Sequence, residues 1–139
     1  MNSIDDTLSA LAEDFDLLGG WEEQLEYVLD LGKALPPLAE ADKTEANRVQ
    51  GCASRVWLAT DPQADGTVAF RADSDGHISR GNVALLLKLY SGHTPTEILA
   101  FDAKAGLERL GLPAALTPQR SNGLFSMVGR IRRDAAALA

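Results

Sequence analysis

Asn47-Arg48-Val49-Gln50-Gly51-Cys52-Ala53-Ser54-Arg55-Val56-Trp57-Leu58 joins two runs that read as strands through one tight turn, and it holds the chain's only cysteine. Gly51 directly before Cys52 opens φ values closed to other residues, so the sulfur can stand at the tip of an accessible turn with Gly51 as its hinge. Most lone cysteines of intracellular proteins are small buried hydrophobes. Here Gln50, Ser54 and Arg55 surround the sulfur with polar groups, and Arg48 and Arg55 are near enough in sequence to favour thiolate over thiol. Reactive sulfur chemistry is therefore the leading reading of Cys52.

Around this stretch, strand candidates lie at about 46–50, 55–61 and 67–73. The third alternates, with Val68, Phe70 and Ala72 on one face and Thr67, Ala69 and Arg71 on the other, as a sheet with one wet face requires. Asp65-Gly66 marks a hairpin after Pro62, and Trp57 reads as a cross-strand packing group. Upstream, Ser3 caps a helix with Ile4, Leu8, Leu11, Phe15 and Leu18 on one face, ended by Gly19-Gly20. A second helix carries Trp21, Leu25, Val28, Leu29 and Gly32 on one face, with Trp21 as a core anchor, and stops at Leu35-Pro36-Pro37.

Downstream of Asp75-Gly76, residues 79–90 predict a helix apolar nearly all round, hence central. Thr94-Pro95-Thr96-Glu97 is a capping box, and Leu107 and Leu110 precede a stop at Gly111 and Pro113. Thr117-Pro118 opens a last helix with Leu124, Met127, Val128 and Ile131 facing inward and Arg130, Arg132 and Arg133 at a solvated end. Helices, short strands, then helices predict one α+β domain over residues 1–139, a three-stranded antiparallel sheet covered by helices.

Thirteen Lys and Arg against twenty Asp and Glu give a net charge of −7, which repels phosphate backbones and argues against nucleic acid as a partner. No apolar run reaches the ~20 residues of a membrane span, and Met1-Asn2-Ser3-Ile4-Asp5-Asp6 lacks a basic leader, so no membrane association and a cytoplasmic location are expected. One cysteine forms no internal disulfide, and a reducing compartment keeps its thiol available. With His77 and His93 as the only histidines, one chain cannot build a Cys₄ or Cys₃His metal site. A Gly-rich phosphate loop and a convincing pyridoxal-binding lysine are both missing, so no cofactor is expected.

Gln50-Gly51-Cys52, with Ser54 and Val56-Trp57, resembles the SufE family, the sulfur-acceptor partners of cysteine desulfurases. The likeness runs in one order through Trp21-Glu22-Glu23, Leu31-Gly32 and Leu35-Pro36 upstream. It continues through Asp73-Ser74-Asp75, Arg80-Gly81, Thr94-Pro95, Phe101, Leu116-Thr117-Pro118 and Arg120-Ser121-Asn122-Gly123-Leu124 downstream. The resemblance implies a SufE/NifU-like domain with Cys52 on an edge loop. It further implies that Cys52 takes persulfide sulfur from a pyridoxal-phosphate-dependent cysteine desulfurase, SufS-like or related. The carrier would stimulate that enzyme and relay sulfur for iron–sulfur cluster assembly, with a cluster scaffold as one downstream partner.

Asp75 and Arg120 match family positions and are candidate supporting residues: Asp75 as a cap for the central helix, Arg120 for steadying a thiolate or a partner carboxylate. Ala53, Ser79 and Asn82 depart from the family pattern; Ala53 bears on partner choice, the other two on helix packing. A redox-sensing or peroxide-reactive thiol uses the same Cys–Arg electrostatics and stays open as an alternative, as does a non-catalytic adaptor. A Cys–His hydrolase finds no support, since neither histidine has a recognisable motif around it. The sulfur is expected to be largely covered at rest, because a persulfide is easily lost and burial holds the thiol in its less reactive form.

Overall fold

A helix with apolar side chains on nearly every face belongs at the centre, and α3 (His77–Tyr90) takes that place, burying Val83, Leu85, Leu86, Leu89 and Tyr90. The computed structural model describes residues 3–112 and 118–139, the side chains of 118–120 excepted. Pro113, Leu116 and Thr117 lie outside the described residues.

α1 (Ile4–Leu18) starts with a capping box between Ser3 and Asp6 and buries Ile4, Leu8, Leu11 and Phe15. Gly19, at φ 86°, ends it. α2 (Trp21–Ala34) crosses α3 at two glycines. A Cβ on Gly81 would stand 2.5 Å from the Val28 carbonyl oxygen, and one on Gly32 would stand 2.8 Å from the Gly81 nitrogen. Only hydrogens fit between these backbones. Arg80 then reaches from α3 to the open end of α2, donating from Nε to the Gly32 carbonyl at 2.7 Å and from Nη2 to that of Leu35. Pro36 and Pro37 cannot supply those donors. The remaining Arg80 nitrogen, Nη1, meets Asp73, whose other oxygen accepts the Leu38 N–H at 2.9 Å.

β1 (Val56–Pro62) and β2 (Val68–Ser74) pair antiparallel, from Val56 opposite Ser74 to Pro62 opposite Val68. Gly66, at φ 87°, makes the turn, and Asp65 Oδ1 accepts from both the N–H and the hydroxyl of Thr67. Val68, Phe70 and Ala72 face the core, while Arg71 points outward to Asp61 and Asp42. Trp57 packs in the sheet with the Lys43 and Arg55 cations each 5.4 Å from its ring centre.

The strand expected at 46–50 shrinks to one bridge, Arg48 opposite Trp57, with 2.8 Å bonds from Val49 N–H to Val56 and from Leu58 N–H to Asn47. Turn contacts hold Asn47 to Thr44 and Asp42 on one side, and Gly51 turns the chain on the other, so no room is left for a longer ladder. The architecture is α+β, with a two-stranded sheet and this bridge in place of three full strands.

α4 (Pro95–Ala100) carries the Thr94–Glu97 capping box. α5 (Ala103–Leu110) ends in left-handed Gly111. α6 (Pro118–Leu138) lays Leu124, Met127, Val128 and Ile131 into the core. Three side chains depart from expectation. Trp21 is 60% exposed, since Leu25 and Val28 fill the α2 face and its first residue projects past the core. Arg130 and Arg132 turn inward, to Asp134 and to the carbonyls of Leu99 and Phe101, so of the three arginines only Arg133 is solvated. Among the described residues no helix is long and apolar enough to cross a membrane.

Candidate functional site

Three elements hold the loop that carries Cys52. At its front, Val49 is buried in the core and the Arg48–Trp57 bridge fixes the backbone. At its back, the Arg55 N–H donates to Asp75 Oδ1 at 2.9 Å and the Arg55 Nε to Asp75 Oδ2 at 2.7 Å. The Arg55 carbonyl accepts from the Ser74 hydroxyl at 2.7 Å and the Asp75 N–H at 3.2 Å.

Asp75 is therefore the loop's rear anchor. The expected cap for the central helix is not made: its N-cap is Gly76, without a side-chain cap bond. Hydrogen bonds from Arg55 hold the Asp75 carboxyl below the usual carboxylate range. Arg55 is thus committed to Asp75 and Trp57, and it does not supply the charge for Cys52 that its sequence position suggests.

The third wall is α6. Cys52 Sγ lies 3.5 Å from the Gly123 carbonyl oxygen, and a Cβ on Gly123 would stand 3.7 Å from that sulfur. Arg130 Nη1 donates to the Arg48 carbonyl at 3.3 Å, tying the loop's entry to the same helix. The sulfur is half-buried, and burial pushes its pKa up while the Arg48 guanidinium pulls it partly back. A carbonyl accepts from S–H but offers nothing to thiolate, so Gly123 also favours the protonated form.

Gly51 sits at φ 90°, and a Cβ there would come within 2.5 Å of Ser126 Oγ. Both facts demand glycine. Gly51→Val is expected to lower stability by roughly 1–3 kcal/mol, from the left-handed backbone and the collision with α6 together. A denaturant melt checks this; an unchanged midpoint would show that the turn re-forms freely around a side chain.

Gly123, Ser126 and Arg130 escaped the sequence reading as site residues. Their signal was present: with Gly123 as i, Ser126 and Arg130 stand at i+3 and i+7, one polar stripe on a helix. Arg120 falls in the first turn of α6, but its side chain lies outside the described residues. His77 is exposed at the start of α3, where Leu29, Gly32, Lys33, Asp75 and Gly76 line a cleft of about 630 Å³ with it. His93 is buried, its Nδ1 3.3 Å from Glu97.

Comparison with known proteins places this geometry. Residues 9–135 match SufE, the Fe-S metabolism associated domain. An uncharacterized SufE-like protein of Rhizobium etli is 48% identical over 136 residues, covering 96% of this chain and 92% of that one. A second, from Rhizobium meliloti, is 43% identical over 132 residues, covering 93% and 94%. The solution structure of a hypothetical protein from Thermus thermophilus superposes with a TM-score of 0.77 over 95% of each chain at 20% identity, a likeness of fold. With Cys52 on its Gly-led turn, the helices around a small antiparallel sheet and these matches along nearly its whole length, the chain belongs to the SufE family, whose domain is associated with iron–sulfur metabolism.

Proposed function

We propose that this protein accepts sulfur on Cys52 from a pyridoxal-phosphate-dependent cysteine desulfurase, stimulates that enzyme and relays the sulfur toward iron–sulfur cluster assembly in the cytoplasm. The observation that carries the reading is the setting of Cys52: a lone thiol on a glycine turn, anchored at both ends and half-covered by α6. Family membership supports it.

In the transfer, the Cys52 thiolate attacks the outer sulfur of the partner's persulfide. The partner's S–S bond breaks, its cysteine leaves with the electron pair as thiolate, and a new S–S bond stands on Cys52. One sulfur atom changes carrier without net oxidation. At rest, burial and the Gly123 carbonyl keep the proton on sulfur; Arg48 is the charge that favours its release once the partner docks. Asp75 keeps the rear of the loop fixed through Arg55, so movement is confined to the residues behind Gly51. Arg120 keeps the role the family likeness implies, steadying a thiolate or a partner carboxylate. A peroxide-reactive thiol would draw on the same thiolate, so the mass added to Cys52 separates the two readings.

Mixing the protein with a desulfurase and cysteine, then weighing the peptide that holds Cys52, tests the proposal. One added sulfur atom is expected. No added sulfur, alongside rapid addition of oxygen from dilute peroxide, would replace it with the redox reading.

The pH dependence of alkylation offers a further check. Because burial raises the thiol pKa, reaction with iodoacetamide should climb with pH around a midpoint above the usual cysteine value. Arg48→Ala removes the opposing charge and should push that midpoint higher still; a lower midpoint would discard the role given to Arg48.

A further inference from the structure

Residues 1–32 hold nine carboxylates and no Lys, Arg or His, although the whole chain carries a net charge of only −7. The α1–α2 hairpin thus concentrates the protein's negative charge. Within it stand the two most exposed large apolar side chains among the described residues, Leu17 at 86% and Trp21 at 60%, on either side of the Gly19-Gly20 turn. Glu13, Asp16, Glu22 and Glu23 beside them are all exposed. None of these four forms an ion pair among the described residues.

Leaving a tryptophan in water forgoes one of the largest apolar gains a side chain can make, and tryptophan is the residue most enriched at the centres of protein interfaces. A ring of unpaired carboxylates around it supplies selection and steering. The same field repels nucleic acid and anionic membranes, leaving a protein with a basic rim around an apolar pocket as the complementary surface.

We propose that the α1–α2 turn is a second docking face, on which Trp21 and Leu17 enter an apolar pocket of a basic partner protein. Trp21 begins α2, eleven residues before the crossing at Gly32, or about 16 Å along the helix. That crossing adjoins α3, whose Gly76 packs on Ser54 of the cysteine loop. The docking face therefore lies at the other end of α2 and stays available while Cys52 is engaged.

The test places a photoreactive phenylalanine analogue at position 17 of the full chain in its native cell and identifies the adducts by mass. The expected result is an adduct with a protein other than the desulfurase, bearing a basic surface, formed equally well by Cys52→Ser. Its yield should fall at least about tenfold in Trp21→Ala and in Glu22→Lys/Glu23→Lys, all surface changes that leave the fold intact. The proposal is overturned by the absence of an adduct, by adducts only with the desulfurase, lipid or a second copy of the chain, or by an adduct indifferent to those substitutions.

Discussion

Cys52→Ser is expected to lose sulfur acceptance altogether while keeping its fold. A serine hydroxyl forms no persulfide, and no second thiol exists to take over. The structural change is slight: the weak S–H contact to the Gly123 carbonyl at 3.5 Å is replaced by an O–H donor of similar size. Stability should shift by less than about 1 kcal/mol. Labelled sulfur supplied through a desulfurase, read on the separated chain beside a thermal melt, measures both quantities. Acceptance by the serine variant would end the assignment of Cys52, whatever the melt shows.

Arg80→Met is expected to have the largest effect on stability. Arg80 donates to the carbonyls of Gly32 and Leu35 at the end of α2 and meets the buried carboxylate of Asp73. Without it, Asp73 keeps the N–H groups of Leu38 and Ser74 and the Lys43 ammonium at 3.7 Å, and the Gly32 carbonyl keeps the Leu35 N–H at 3.2 Å, while the Leu35 carbonyl loses the guanidinium donor. Breaking one side of such a buried pair costs about 3–5 kcal/mol. Whole domains hold only about 5–15, so the melting temperature should fall by roughly 10 °C or more. Adding Asp73→Asn removes the stranded charge and should restore part of the loss, which a double-mutant cycle reads directly. A single-variant loss under about 1 kcal/mol would mean that solvent enters and replaces the guanidinium.

The network explains why some parts of the molecule were legible in the sequence. Ser3, Gly19, Thr94-Pro95-Thr96-Glu97 and Gly111 act through backbone bonds a few residues away, and the structure uses each as its local chemistry dictates. Apolar periodicity likewise marked α3 as central and set the facing of β2. What the sequence hid were bonds between distant segments. Arg55 stands three residues from Cys52, yet its partner is Asp75, twenty residues on. Asp75 precedes a helix as a cap would, but Arg55 occupies both its oxygens. Arg48 lies four residues from the sulfur in the other direction and is the cation felt there. Residues 46–50 read as a strand, but the turns that confine them depend on the bond from the Asn47 side chain to the Asp42 carbonyl and on the φ of 90° at Gly51, which the strand pattern does not record.

The cover over the thiol comes from far along the chain: Gly123 follows Cys52 by 71 residues. On a ribosome adding about 5–20 residues per second, that separation is roughly 4–14 s. During this interval the nascent loop has its hinge and its nucleophile but neither the carbonyl that holds the proton nor the helix that limits access. A newborn chain is therefore at its most vulnerable to alkylation and oxidation before α6 is made, and chains stalled upstream of residue 118 would carry the modification that finished molecules resist.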